Sequence, residues 1–254
     1  MQLKGRLAGK IGVVTGASKG IGAGVARTLA CEDARVVVNY RSDRDDAERV
    51  VAEIEIEGGD AFAVQADITK SEDVTSLFQK VAERFGSPDV LVNNAGMFEF
   101  RSLDEIDEEH FRRVFDLNVM GLLLCTREAA RRMNRGASIV NIGSVTSKVA
   151  VLNHAVYSGS KAAVDIITPI FAHELGPRGI RINTVSPGMV PTPGLTRLGL
   201  PGSPFQEWVE KRTPLGRIGT MQDIASAVVF LSSDEASWMT GEVLTVAGGT
   251  RTGI

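Results

Sequence analysis

Short apolar runs rich in β-branched residues alternate along this chain with longer stretches in which apolar positions return every three or four residues. The short runs fall at 11–15, 35–39, 61–65, 90–93, 138–142, 181–185 and 243–246. Several are apolar at consecutive positions, as at Val36, Val37 and Val38, which suits strands covered on both faces by helices in a parallel sheet. Between them, Val74, Leu77, Phe78, Val81, Ala82 and Phe85 trace one apolar face of a helix. The same period, less cleanly kept, predicts helices over 21–31, 43–57, 108–133, 155–175 and 221–232. This rhythm predicts an α/β fold, a doubly wound seven-stranded parallel sheet with helices on both faces. No repeat, low-complexity tract or charged linker divides it, so 1–254 reads as a single domain. Residues 186–204, SPGMVPTPGLTRLGLPGSP, are crowded with proline and glycine and predict a long functional loop without regular structure.

Composition narrows the function classes. Of 254 residues, 43% are hydrophobic and 23% charged, an ordinary balance for a globular protein with a large core. Lys and Arg number 28 against 31 Asp and Glu, and a net charge of −3 argues against a general polyanion or nucleic-acid binder. No apolar run approaches the ~18 residues of a membrane span, and MQLKGRLAGK at the start lacks a signal-peptide core, so the expected location is the cytoplasm. Cys31 and Cys125 form no C-x-x-C pair, which fits a reducing compartment, and neither is a catalytic candidate. His110, His154 and His173 have no partners at metal-ligand spacing, so no metal is expected. Glycine, at 27 residues, exceeds its usual ~7% share, and its placement is informative.

Gly16, Gly20 and Gly22 fall directly after the first predicted strand, in Thr15-Gly-Ala-Ser18-Lys19-Gly-Ile21-Gly22. A turn free of side chains there lets backbone N–H groups and a helix N-terminus approach a pyrophosphate. The earlier Gly5-Arg-Leu-Ala-Gly9-Lys10 has the wrong spacing for a nucleoside-triphosphate loop. At the end of the second strand, where an NAD site usually carries an acid, the chain reads Val38-Asn39-Tyr40-Arg41-Ser42. Lys19 and Arg41 are instead suited to a 2′-phosphate, which favours NADP(H). Asp43, deeper in the loop, reads as an acid complementing the next helix dipole.

Tyr157 and Lys161 are four apart in a helical stretch and share a face. An ammonium beside a phenol is expected to stabilise phenolate and lower the tyrosine pKa, which suits acid/base work on an alcohol or carbonyl. Ser144 closes the strand ending Ile142-Gly143-Ser144, at the edge where open α/β sheets bind ligands, and its hydroxyl is placed to hold a substrate oxygen.

These motifs occur together with Asn93-Asn-Ala-Gly96, Leu117-Asn118 and Pro187-Gly-x-x-x-Thr192, and in that order the whole chain resembles the short-chain dehydrogenase/reductase family in its shorter form. The resemblance implies a Rossmann-type fold and a nicotinamide cofactor. It implies that Asp67 and Ile68 border the adenine, that Asn94, Ala95 and Gly96 line the cofactor groove, and that Val190 and Thr192, after Pro187 and Gly188, hold the nicotinamide carboxamide. Lys161 would bind the nicotinamide ribose, and Asn118 would position a water linking Lys161 to solvent. A homotetramer is implied, with a dimer as the alternative. Two departures stand out: Ala247 replaces a common Asn or Asp, and Gly143 precedes Ser144 where Ser is common, which would widen or loosen the pocket.

The combined reading is an NADPH-dependent carbonyl reductase, reversible as an alcohol dehydrogenase. The nearest rival is a sugar 1-dehydrogenase, which Val36-Val-Val-Asn-Tyr-Arg-Ser42 also resembles; a catalytically silent nucleotide-binding regulator is more remote. In this family the region after Thr192 folds over the substrate, which implies a substrate loop at about 189–213. Leu195, Leu198, Leu200, Phe205 and Trp208 would then join Met97, Val149, Leu152 and Met189 around an apolar substrate beside Ser144 and Tyr157. Arg197, Glu207, Glu210 and Lys211 read as the solvated side of that segment.

Overall fold

The seven apolar runs are seven parallel strands, and each is buried according to its place in one sheet. A computed structural model describes residues 5–197, 199 and 202–250, so Leu198 and Leu200 lie outside the described residues. In chain order the strands are β1 (Ile11–Val14), β2 (Arg35–Tyr40), β3 (Ala61–Gln65), β4 (Val90–Asn93), β5 (Ser138–Ile142), β6 (Arg181–Pro187) and β7 (Val243–Val246). They lie side by side as β3-β2-β1-β4-β5-β6-β7. Val13 is level with Val37 on one side and Leu91 on the other, and Val140 with Asn183. The strand order reverses between β1 and β4, so their carboxyl ends open the crevice where such sheets take ligands.

Successive strand residues point to opposite faces, and each face is closed by its own helices. Val14, Val36, Val38, Val92 and Val140 pack with α1 (Gly20–Cys31), α2 (Arg44–Ile56) and α9 (Met221–Ser232). Ile11, Val13, Val37, Leu91, Ile139 and Ile182 pack with α3 (Ser71–Arg84), α5 (Leu122–Arg132) and α6 (Ala155–Leu175). Close packing of α1 on α9 uses Gly24, where a Cβ would come 3.0 Å from that of Met221.

A buried polar chain crosses the second layer. Asn93 donates to Asn141 at 2.9 Å and to Thr126 at 3.0 Å, and Asn141 donates to Thr168 at 3.1 Å. Thr168 in turn meets Thr184 at 2.7 Å, so β4, β5 and β6 are tied to α5 and α6 by buried hydrogen bonds, with only Asn93 Oδ1 of these groups left unpartnered.

Two expectations are corrected. The predicted helix over 108–133 is three pieces: α4 (Glu108–Phe115), a π-helical stretch over Asp116–Gly121, and α5. The chain stays helical through the π-turn, so helix-forming sequence alone does not mark the break. The segment 186–204 is not wholly irregular either. β6 runs on through Pro187, α7 (Pro193–Arg197) lies inside the segment, and α8 (Pro204–Arg212) begins at its end. Pro193 and Pro204 open helices, where a missing N–H costs nothing, and Ser203 caps α8 by accepting from the Gln206 amide at 3.3 Å.

Candidate active site

The carboxyl ends of the strands border a cavity of about 900 Å³ that runs from the glycine turn to α8. At the turn, Gly16 has φ +59°, and a Cβ there would sit 2.9 Å from the Ala95 Cα. The Asn94 side chain locks this approach by donating to the carbonyls of Thr15 and Gly16 at 2.8 and 3.0 Å. The Ala95 amide donates to the Thr15 hydroxyl at 3.1 Å. Lys19 is the N-cap of α1 and supplies no side-chain cap, so the first-turn N–H groups face the cavity mouth without a side-chain acceptor. Ser18, Gly20 and Ile21 line the same opening. This is a cradle that fits a pyrophosphate: a positive helix end, and a backbone brought close where any Cβ at Gly16 would intrude. Gly22 does not line the cavity; it gives Asn94 room to reach the turn.

Beyond β2 the walls are Tyr40, Arg41, Ser42 and Asp43, with Asp67 and Ile68 across from them. Tyr40 is buried, while Arg41 and Ser42 are exposed. Asp43 is the N-cap residue of α2, where an acid complements the helix dipole, and it is also ion-paired with Lys19, which engages one of the two cations expected at a 2′-phosphate. Asp67 accepts from the Thr69 amide and hydroxyl at 3.0 and 2.8 Å, which fixes the loop above β3. Gly121 of the π-helical stretch admits Ile68, whose Cδ1 would lie 2.7 Å from a Cβ there.

The centre of the cavity brings together Ser144, Tyr157 and Lys161. Lys161 is buried, and its Nζ donates to the Ile142 carbonyl at 2.8 Å. Gly96 stands against it, with a virtual Cβ only 3.5 Å from Nζ. Burial pushes the Lys161 ammonium down to about 8, opposed by the charge of Asp165. Tyr157 departs from the expectation of a lowered pKa. Burial raises the phenol above its ordinary value, and hydrogen bonding with Ser144 only partly opposes this. The ammonium lies 5.9 Å from the Tyr157 ring centre and is directed at a backbone carbonyl, so it does not offset desolvation of the phenolate.

Ser144 is held from both sides. Its Oγ accepts from the Thr146 amide at 3.3 Å and hydroxyl at 3.0 Å. The Ser147 hydroxyl lies 2.8 Å from the Ser144 carbonyl and 2.6 Å from the Asp165 carboxylate and shares its one proton between them, which fastens this turn to α6 one helical turn past Lys161. Gly143 does not widen the pocket. A Cβ there would come 2.8 Å from Thr184 Cγ2 and 3.4 Å from Asp165, so the glycine serves packing behind the site. Asn118 also lies behind the wall, where its side chain accepts from the Met97 amide and donates to the Met97 carbonyl, both at 2.9 Å, and donates to Ser160 at 3.0 Å.

Pro187, Gly188, Val190 and Thr192 form the wall facing the glycine turn, and Ala247 packs beneath Gly188, where a Cβ would come 2.9 Å from its own. The remaining lobe is mainly apolar. Met97, Val149, Leu152, Met189 and Leu195 line it as expected, with Phe205 and Trp208 of α8 stacked at 5.8 Å. Sequence reasoning missed Phe98, Phe100 and His154. Phe98 meets the Tyr157 ring at 5.9 Å, and Phe100 meets His154 at 4.4 Å. The available signal was their place, directly after Asn-Asn-Ala-Gly and one turn before Tyr157.

Residues 16–251 match the family model described as Enoyl-(Acyl carrier protein) reductase. The chain belongs to the short-chain dehydrogenase/reductase family. It is 49% identical over 246 residues to an uncharacterized oxidoreductase of Methylorubrum extorquens, covering 97% of this chain and 99% of that one. It is 40% identical over 254 residues to a versicolorin reductase of Emericella nidulans, covering 96% of each. A short-chain dehydrogenase from Burkholderia cenocepacia, solved in complex with NADP, superposes with a TM-score of 0.91 at 36% identity, covering 96% of this chain and 98% of that one. The protein is thus an oxidoreductase of a family that works with a nicotinamide cofactor. Among the described residues no group of His, Cys, Asp and Glu is placed to hold a metal, and no helix is long and apolar enough to cross a membrane. Buried Cys125, its thiol pushed up to about 12 by desolvation, lies in the core among the packed helices.

The Lys161 value carries a pH consequence for this short-chain dehydrogenase/reductase. The cation is present below about pH 8 and is lost as pH rises through it, while Tyr157, raised by burial, stays protonated over that range. Turnover is expected to slow as pH climbs past about 8, in a kcat profile at saturating cofactor. A rate constant that stayed level well above that value would contradict a role for the charged lysine.

Proposed function

We propose that the chain is an NADP(H)-dependent carbonyl reductase, reversible as an alcohol dehydrogenase, acting on hydrophobic ketones or keto esters. The observation that carries this is the meeting of Ser144, Tyr157 and Lys161 at one wall, between a phosphate cradle and an apolar lobe. The nicotinamide cofactor, when bound, supplies the hydride. Ser144 Oγ holds the substrate oxygen, and Tyr157 donates its phenolic proton to that oxygen, a proton the raised pKa keeps in place at neutral pH. Lys161 contributes positive charge beside the phenol and a donor to the nicotinamide ribose. Gly16, Gly20 and the α1 amides hold the pyrophosphate. Asp67 and Ile68 flank the adenine, Asn94, Ala95 and Gly96 line the groove, and Val190 and Thr192 receive the carboxamide. Asn118 keeps Met97 and Ser160 in register beside Lys161, the position from which a water relay to solvent would run.

NADP(H) is favoured over NAD(H) because the end of β2 carries Arg41 rather than an acid. Lys19 is engaged by Asp43, so Arg41 is assigned the larger share of the 2′-phosphate. The lobe supports an apolar substrate, with each buried methylene worth up to ~0.8 kcal/mol until the space is filled. The second reading, a sugar 1-dehydrogenase, would need polar partners for several hydroxyls, and that lobe is built chiefly of Met, Val, Leu, Phe and Trp side chains.

One panel tests cofactor and substrate class together: kcat/KM for aryl and alkyl ketones, keto esters and glucose, each with both nicotinamide cofactors. The expected outcome is higher efficiency on the hydrophobic ketones with NADPH, and a shift toward NADH in Arg41→Asp. Glucose outperforming every ketone would promote the sugar dehydrogenase, and an unchanged cofactor ratio in the variant would remove Arg41 from the phosphate site.

We also propose a homotetramer. Phe111 on α4, Met120 on the π-helical stretch, and Ile166 and Ile170 on α6 are 46%, 48%, 61% and 49% exposed, a large apolar surface for one chain to leave in water. Light scattering is expected to give about four times the mass of one chain, and the mass of a single chain would rule out this assembly.

A further inference from the structure

His154 is the one imidazole lining the cavity among the described residues, and its hydrogen bonding fixes which of its nitrogens is free. Its Nδ1 lies 2.8 Å from the Leu152 carbonyl oxygen. A carbonyl can only accept, so Nδ1 carries the proton and donates. In the neutral ring Nε2 is then a lone-pair acceptor; it makes no hydrogen bond among the described residues and is not among their sealed, unpaired polar atoms, so it stays within reach of a bound molecule. Burial lowers the His154 pKa from its ordinary value, with the Leu152 bond opposing, which favours the neutral ring at pH 7. His154 lines the cavity and is 9% exposed, so what exposure its ring keeps lies where a bound molecule would cover it.

The surroundings define what would reach that acceptor. His154, the N-cap residue of α6, lies 6.1 Å from Tyr157, ring centre to ring centre. Phe100 packs edge-on against the imidazole and Phe98 edge-on against Tyr157, so one wall of the lobe is a continuous series of rings. Phe205 and Trp208 lie stacked with each other on α8, which also lines the lobe. Walls of this kind favour flat, polarisable molecules over flexible chains, through stacked and edge-to-face contact.

We propose that His154 is a specificity residue whose Nε2 accepts a hydrogen bond from a ring hydroxyl of a planar, fused-ring ketone whose carbonyl lies at Ser144 and Tyr157. This rests on the reductase reading and names a substrate class for it: ring ketones carrying a hydroxyl across the ring system from the carbonyl. A buried acceptor meeting a hydroxyl discriminates strongly against the analogue that lacks it, because that analogue leaves the acceptor desolvated and unpaired.

The probes are 1-tetralone and its 5-, 6- and 7-hydroxy isomers, reduced with NADPH, and the readout is the kcat/KM ratio of each isomer to tetralone within one protein. Wild type is expected to prefer at least one hydroxy isomer by on the order of tenfold. His154→Phe keeps a ring against Phe100 but removes the acceptor, and the ratio should fall to about one. His154→Gln restores an acceptor and should recover part of it. Leu152, which loses its donor in the phenylalanine variant, is 89% exposed, so water replaces that bond and folding is expected to survive. A hydroxy preference that persists in His154→Phe, or tetralone reduction with no preference for any isomer in wild type, overturns the proposal and leaves the reductase reading standing. Failure of wild type to reduce any ketone of the broader panel overturns both.

Discussion

The hydrogen bond from Lys161 Nζ to the Ile142 carbonyl is the constraint around which the site is arranged. Removing an ammonium from water costs several kcal/mol, and one carbonyl does not cancel that. The position is tolerable because much of the fold is fitted to it. β5 presents its last carbonyl at the sheet edge, and α6 crosses that edge at the height where a lysine reaches it. Gly96 leaves room for Asn118, whose Oδ1 would lie 3.2 Å from a Cβ there, and Asn118 holds the neighbouring chain by gripping both backbone groups of Met97. Ser147 and Asp165 then bind the Ser144 turn to the same helix. With the lysine seated, Tyr157 is one turn away on the same face, and the serine stands opposite.

The same edge separates two kinds of recognition. On the β1 side the cavity offers backbone amides, glycines and the cations near β2, a surface for phosphate and ribose. On the β6 side it offers methionine, aliphatic and aromatic side chains from the segment after Pro187 and from α8. The titratable groups stand where the two meet, buried enough that Tyr157 is raised and Lys161 lowered. Both shifts have one cause, desolvation of the charged form, and they leave the phenol protonated near neutral pH.

How much was legible in the sequence follows from how locally each feature is determined. Consecutive β-branched runs such as Val36 to Val38 located the strands within two residues, because burial on both faces leaves no polar alternative. The glycine turn and the Tyr157–Lys161 pair were readable since their geometry depends on spacing alone. The break over Asp116–Gly121 was not, because the chain stays helical through it, and Pro193 and Pro204 looked like breakers although each starts a helix. Asp43 reaching Lys19 and Phe100 reaching His154 are contacts between distant segments, and no window of sequence contains both partners. The tyrosine pKa was misjudged for a related reason: proximity in the helix was visible, whereas depth of burial was not.

The central claim is that Tyr157 delivers the proton that completes carbonyl reduction. Replacing it with phenylalanine keeps the ring against Phe98 and removes only the hydroxyl. The direct measurement is single-turnover reduction of a hydrophobic ketone by wild type and Tyr157→Phe, with NADPH affinity determined in parallel by fluorescence titration. The account predicts a fall of at least ~10² in the rate of turnover, with cofactor binding nearly unchanged. Near-normal turnover in a folded, cofactor-binding variant would contradict it.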